Sequence, residues 1–443
     1  MAACTSTSGF NADLMNSILL SSWSNKWREV INWNLRGLSG LYESDSEFKD
    51  DKGRFYPNND GYYLCSANIR LDSFSGSKTR LTIAINGEQD KMAEDDAQNG
   101  LSSIMGDGKS TNYYSMYLTG NIFMKKGQYA SVFLYSLGDN SFYIQSSSGF
   151  SCHRLDSKIG FRADMTKGVN LGQNIWKEMG NWRVSGEPGL YSVGSIGTTA
   201  DKGNALSKPG SAGKTGKDAA KTGKDAAKPG KTTSGPSLTT KKTTAPVGFD
   251  SKNGRYYVPK PGVYFCGANF RLDNANVRGN FRLSLRHEGQ ESSNQLSVIS
   301  GNYFSSNYGT LQLASTIKIK TYVSTWLQSS SDTQWSVNHE SGFGCHYLPG
   351  KYGFHATPKV AQNYGRSWQL IKNWRTDGTE QSYASDPFTS EQTWTVPFTA
   401  YYYCSISVVF DNHHNGYYNH LMLSIDGSTN MEHGVCECAC RGL

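Results

Sequence analysis

One block of sequence recurs three times, and any fold for this chain has to accommodate it. Each copy opens with a Trp and an Asn-Trp pair: Trp27 with Asn32-Trp33, Trp176 with Asn181-Trp182, Trp368 with Asn373-Trp374. In the first two copies Gly-Leu-Tyr follows, at Gly40–Tyr42 and Gly189–Tyr191. Then comes FKDDKGRFYPNNDGYYLCSANIRLD in the first, FDSKNGRYYVPKPGVYFCGANFRLD in the second and the looser FTSEQTWTVPFTAYYYCSISVVFDN in the third. The two full copies run on to SGFSCHRL (Ser148–Leu155) and SGFGCHYL (Ser341–Leu348), then to Gly-Phe-x-Ala at Gly160–Ala163 and Gly353–Ala356. Repetition on this scale marks one supersecondary unit used several times.

The repeat divides the chain into a first module at 27–163, a second at 164–356 and a partial third at 357–443. Residues 1–26 are expected to be a linker or the tail of a preceding module, because Gly9-Phe10-Asn11-Ala12 matches the tetrapeptide read as the module end. The third copy stops after Leu421–Gly427, so the chain reads as a slice of a longer array.

Within a module the pattern is that of strands. Arg54–Ile69 and Arg255–Leu272 are rich in Tyr, Phe and Val and are broken by Pro and Gly. They read as two strands joined by a tight turn. Arg80–Ile85, Phe281–Leu285 and Leu421–Ile425 alternate apolar with polar residues and run into turns carrying Gly87, Glu288-Gly289 and Gly427. Later strands bring the total to about eight to ten per module, which predicts an antiparallel sandwich with one face of each sheet buried. No run of about 18 apolar residues is present, so no membrane-spanning helix is expected. The amino-terminal residues lack the basic and apolar regions of a signal peptide, and no N-x-Ser/Thr acceptor occurs.

The net charge of +7 is concentrated in one place. Residues 200–246 hold ten Lys and three Asp, which leaves the remainder neutral. A basic insert of this kind argues against a nucleic-acid-binding face. It falls inside the second module, at about 195–247, and repeats KTGKDAA with too few apolar residues to offset ordering entropy. It is expected to be a disordered spacer, with a Lys-rich tether for polyanions or cross-links as the sharper reading.

In the second module Phe249, Gly254, Tyr256, Pro259, Gly262, Tyr264, Phe265, Ser341 and Phe343 stand in a fixed order. Phe48, Gly53, Phe55, Pro57, Gly61, Tyr62, Tyr63, Ser148 and Phe150 repeat that order in the first. This pattern resembles the globular head of the complement C1q family, which shares its jelly roll with tumour necrosis factor. The resemblance implies an all-β chain of tandem antiparallel jelly-roll sandwiches, interrupted here by the disordered Lys/Gly-rich insert read from composition. It also implies assembly as a trimer or larger homo-oligomer.

In that family's fold the strands bearing Cys65 and Cys152, and those bearing Cys266 and Cys345, are neighbours in one sheet. Cross-strand disulfides Cys65–Cys152 and Cys266–Cys345 follow as one reading, and buried thiols as the other. Asp72, Asp273 and Asp411 recur after the central strand and are read either as turn formers or as calcium ligands. Cys436-x-Cys438-x-Cys440 has spacing suited to thiolate ligation of Zn or Cu(I), set against an incidental tail. His153 and His346 each follow a Cys, but adjacent strand residues face opposite sides, so neither makes a nucleophile–base pair. Tyr113, Tyr114, Tyr303, Tyr308, Tyr417 and Tyr418 cluster in loops or strand edges and would stack on sugar rings if exposed.

No Gly-x-Ser-x-Gly elbow, phosphate loop or His-Glu-x-x-His stands in the sequence. The expected function is therefore non-enzymatic: a secreted, extracellular, multivalent binding protein of innate-immunity type that recognises carbohydrate or other extracellular ligands. It needs no cofactor, calcium apart. The alternative is a structural matrix or fibre-forming protein built from the same modules.

Overall fold

The computed structural model describes residues 2–4, 8–20, 26–35, 47–49, 51–72, 78–88, 92, 101–105, 113–137, 141–172, 175–184, 247–273, 281–288, 296–300, 308–329, 335–349, 356–364, 369–376, 394–395, 401–404, 406, 419–422 and 437–440. Their strands pair antiparallel throughout. The Lys-rich insert, Asp411 and Cys436 lie outside the described residues.

Each full module is a sandwich of two sheets. In the first module a central strand, Gly61–Asp72, is flanked by a long return strand, Tyr113–Met124, and a closing strand, Gly149–Arg154. An opening strand, Gly9–Leu14, lies outside the closing strand. The second sheet runs Leu101–Met105, Lys78–Ile85, Ala130–Leu137, Arg54–Phe55, Phe48–Lys49. The second module repeats this order strand for strand: Gly262–Asp273 is central, Tyr308–Ile319 returns, Gly342–Tyr347 closes and Gly160–Met165 opens. Its other sheet runs Leu296–Ser300, Phe281–His287, Tyr322–Ser329, Arg255–Tyr257, Gly248–Asp250.

Two sequence expectations are corrected here. Gly-Phe-x-Ala opens a module rather than closing one. Gly160–Met165 pairs with Gly342–Tyr347 of the second module, and Gly9–Leu14 pairs with Gly149–Arg154 of the first. Phe10 packs on Phe48, Phe55 and Phe150, and Phe161 repeats these contacts with Phe249, Tyr256 and Phe343. Residues 9–14 and 18–20 thus belong to the first sandwich, not to a preceding tail. The physical reason is that opening and closing strands are sheet neighbours. A closing motif followed directly by Gly-Phe reads equally well as one module's end or the next one's start. The second correction is that Arg54–Phe55 and Gly61–Asp72 do not form a hairpin but lie in opposite sheets. The Pro57 segment between them turns the chain across the sandwich.

Alternation along the central strand builds the core. Tyr63, Cys65, Ala67, Ile69 and Leu71 point inward to meet Phe55, Leu81, Ile83, Val132 and Leu134 of the facing sheet. Tyr264, Cys266, Ala268, Phe270 and Leu272 do the same in the second module. Within each core a disulfide joins the central and closing strands, Cys65–Cys152 and Cys266–Cys345, with Cα atoms 4.0 and 4.1 Å apart.

The Asn-Trp signature has a physical explanation. Asn32, Asn181 and Asn373 adopt left-handed backbone, with φ of 66°, 63° and 56°. Asn tolerates this region better than most residues. The turn brings each Trp indole N–H back to the carbonyl three residues earlier, Val30, Met179 or Ile371, at 2.8–2.9 Å. In the full modules the indole then covers Gly53 or Gly254, both at positive φ. A Cβ on Gly254 would sit 1.9 Å from the Met179 carbonyl oxygen, and one on Gly53 2.6 Å from that of Val30. The two motifs therefore recur together because one packs on the other.

The first two modules meet through the outer faces of their central strands. Tyr62, Leu64 and Leu155 pack with Phe265, and Phe123, Ala314 and Leu348 complete this cluster. Polar contacts surround it. Arg162 donates to the Asn121 carbonyl at 2.9 Å, and Gln312 to that of Thr119 at 3.2 Å. Glu340 is held between Arg80 of the first module and Arg271 of the second, the latter at 2.9 Å. Arg271 also pairs with Asp273 at 2.9 Å.

Two outcomes are expected. Replacing Cys65 and Cys152 by Ser releases a loop closed across 87 residues and lowers the unfolding free energy by about 4–5 kcal/mol in the chain-entropy account. Glu340→Gln leaves Arg80 and Arg271 facing each other without the shared carboxylate and costs about 3–5 kcal/mol. Guanidinium titrations read both. A Glu340→Gln midpoint equal to wild type would show that the ion pairs do not hold the modules together.

Candidate functional site

One surface cluster appears in both full modules. Glu29, on the short strand Lys26–Glu29, receives two hydrogen bonds from Arg54, both 2.7 Å. Glu178 receives the matching pair from Arg255, at 2.8 and 2.7 Å. Each guanidinium lies over a tyrosine ring, Tyr129 at 4.3 Å and Tyr322 at 5.0 Å from the ring centre. A second tyrosine leans on the first: Tyr56 on Tyr129 at 5.5 Å and Tyr257 on Tyr322 at 5.3 Å. The third copy carries Leu370 and Trp394 in place of the Glu and Arg.

Strand geometry explains why these residues meet. The Glu-bearing strand and the Arg-bearing strand both pair with the strand that follows the tyrosine, at Ala130–Leu137, or that begins with it, at Tyr322–Ser329. Hydrogen bonding to Glu29 and Glu178 raises the pKa of Arg54 and Arg255 well above the ordinary arginine value. Burial is the main cause that raises Tyr129 and Tyr322, so their hydroxyls stay protonated. All four tyrosines are partly exposed. Beside Tyr56 lies a shallow depression lined by Lys49, Asp51 and Lys52. The arrangement offers partly open ring faces beside a locked cation, with the Tyr129 hydroxyl donating to the Gly87 carbonyl at 2.8 Å. Such a set can stack on a flat apolar face.

The residues singled out from sequence are placed as follows. Cys65, Cys152, Cys266 and Cys345 form the two core disulfides. Asp72 pairs with Arg70 at 3.1 Å, and Asp273 with Arg271 and Asn338. Among the described residues no three His, Cys, Asp or Glu gather as a metal site. The calcium set does not fit this arrangement, since both described carboxylates are committed to arginine. Cys438 and Cys440 lie on the strand Glu437–Cys440. Tyr113, Tyr114 and Tyr308 lie on the return strands, while Tyr303, Tyr417 and Tyr418 fall outside the described residues. The Glu–Arg–Tyr–Tyr cluster went unnoticed in the sequence. The recurrence of Glu29 with Arg54 and of Glu178 with Arg255 was its one visible signal.

His346 and His153 lie on the face of the closing strand opposite the disulfide. His346 is buried, opposite Phe265 of the intermodule cluster, and burial pushes its imidazole down to about 3. His153 is partly exposed and is pushed down to about 4, again by burial.

No family model matches this chain, and no curated protein does. Among solved structures it is similar to the Eiger TNF of S. frugiperda, at 14% identity over 34% of this chain and 93% of that one, with a TM-score of 0.25. It is also similar to murine APRIL at pH 5.0, at 16% identity over 33% of this chain and 98% of that one, with a TM-score of 0.24. Each full module is an antiparallel two-sheet jelly roll. The strand order of the two sheets, repeated in both modules, carries that statement. Among the described residues no helix is long and apolar enough to cross a membrane.

The buried histidine generates a pH prediction. His346 is neutral in the folded state and titrates near 6.5 when unfolded. Its contribution to stability is fully present above pH 6.5 and is lost as pH falls toward about 3. The loss is about 1.4 kcal/mol per pH unit. Urea unfolding of wild type and His346→Gln at pH 6.5, 5.5 and 4.5 should show the gap between them closing at that rate. Parallel curves would show that His346 does not titrate as its burial requires.

Proposed function

We propose that this chain is a non-enzymatic, extracellular, multivalent binding protein whose sandwiches engage carbohydrate through the Glu–Arg–Tyr–Tyr clusters. The observation that supports this reading is the duplication of one partly exposed constellation, Glu29–Arg54–Tyr129–Tyr56 and Glu178–Arg255–Tyr322–Tyr257. A device needed only to rigidify a sheet has no reason to leave four tyrosine faces partly open. Sugar rings present the flat C–H face that such a surface complements. Two weak sites on one chain also bind a repeating glycan more tightly than either alone, because the second engagement is intramolecular. The core disulfides accord with an oxidising compartment.

A glycan array probed with the full chain tests the proposal. Binding to at least one glycan class is expected. Tyr129→Ala or Tyr322→Ala alone should reduce apparent affinity by about tenfold or more, and the double variant by about a hundredfold or more. Chelation of calcium should leave binding unchanged, because Asp72 and Asp273 are held by arginine. The double variant binding as well as wild type would overturn the site assignment. Filament growth without any glycan binding would favour the matrix-protein alternative instead.

A further inference from the structure

Three modules on one chain can be beads on a string or can close on one another. The contacts between them decide which. In the first module Leu101–Met105 pairs along Lys78–Ile85 at the edge of its sheet, and it lies against the return strand Tyr308–Ile319 of the second module. In the third segment Glu437–Cys440 pairs along Asn419–Met422 in the same way, and it lies against the return strand Tyr113–Met124 of the first module. The third segment therefore meets the first through the same pair of elements by which the first meets the second. A head-to-tail contact that repeats in this way either propagates without end or closes. These two contacts alone would also fit a row in the order third, first, second; the eight residues between Tyr347 and Ala356 tie the second unit directly to the third, and so draw the row into a ring.

A second, independent observation concerns the third central strand. Tyr401–Tyr403 precedes Cys404 as Tyr62–Leu64 precedes Cys65. Its sheet partner is Ala2–Cys4, antiparallel, with Ala2 opposite Tyr403. In the first module His153 stands opposite Leu64 in the same way. Ala2–Cys4 thus holds the register of a closing strand. Sequence spacing agrees: Cys152 precedes Gly160, Cys345 precedes Gly353 and Met1 precedes Gly9 by the same eight residues. By that spacing Met1 aligns in sequence with Cys152 and Cys345, and Cys404, which aligns with Cys65, is a thiol. Burial pushes that thiol up to about 11, with the chain's amino-terminal charge opposing the shift.

We infer that the chain closes into a ring of three modules within a single polypeptide, with the segment before Gly9 supplying the closing strand of the third module. The trimeric packing that the jelly-roll resemblance implied between chains is then made inside one chain. No ligand is needed for it, so it stands or falls apart from the carbohydrate reading.

Two measurements on the full chain test this. Light scattering in non-reducing buffer should give 48.8 kDa across a wide concentration range. A species of three times that mass, growing with concentration, would overturn the inference. The second measurement asks for the third disulfide. Met1→Cys, encoded behind an added initiator, is placed in a background with Cys4, Cys436, Cys438 and Cys440 replaced by Ser and is oxidised with oxidised glutathione. Peptide mapping should find a link from position 1 to Cys404 within single chains. The native Cys65–Cys152 link in the same map reports correct folding. Ala2→Cys, one position along and turned to the other face by strand alternation, should give no such link. A folded Met1→Cys chain that fails to link to Cys404, or links only between chains, would sink the ring.

Discussion

A β-strand buried on both faces is the constraint on which this molecule turns. Gly61–Asp72 sends Tyr63, Cys65, Ala67, Ile69 and Leu71 into its own sandwich and Tyr62 and Leu64 into the neighbouring module. Its counterpart sends Tyr264, Cys266 and Phe270 inward and Phe265 outward. Soluble antiparallel sheets commonly keep one wet face. Here that face is spent on the next module, so the sandwich and the packing between modules are both built from one strand. The cross-strand disulfides tie this same strand to its closing neighbour.

Placing the intermodule contact on a sheet face also explains its chemistry. The apolar centre is small, and Arg80, Arg162, Arg271, Glu340 and Gln312 surround it. Such a rim fixes register, because a shift between the modules would strand Glu340 away from its two arginines. The closing-strand histidines face the same way, and His346 lies under enough apolar cover to stay neutral. The Glu–Arg–Tyr–Tyr clusters stand on the other sheet of each sandwich, the one that does not hold the central strand.

Much of the architecture was legible in the residues. The Trp and Asn-Trp repeats announced three copies, and in the two full modules the structure gives the second Trp one job: a left-handed Asn aims its indole onto the glycine of a later turn. Alternation and turn residues announced antiparallel strands, and two cysteines per full module stood on strands that the resemblance made neighbours. The candidate site was far less visible. Glu29, Arg54 and Tyr129 are separated by long stretches of chain and belong to three strands, so no local spacing connects them. The opening strand was misassigned for a related reason, since hydrogen bonds across the sheet, not order along the chain, decide which module owns Gly9–Leu14 and Gly160–Met165.

By itself the sequence determined the repeat, the strand character, the turn chemistry and the identity of the inward-facing residues, because these depend on periodicity and on what each side chain permits locally. The tertiary structure alone decided which strands pair, where one module ends and the next begins, which faces meet between modules and which charged residues share a surface. Those outcomes depend on contacts between segments far apart along the chain, such as Arg80 with Glu340 and Ala2–Cys4 with Tyr401–Tyr403. Neither residue type nor local pattern records such a meeting before the sheets are in place.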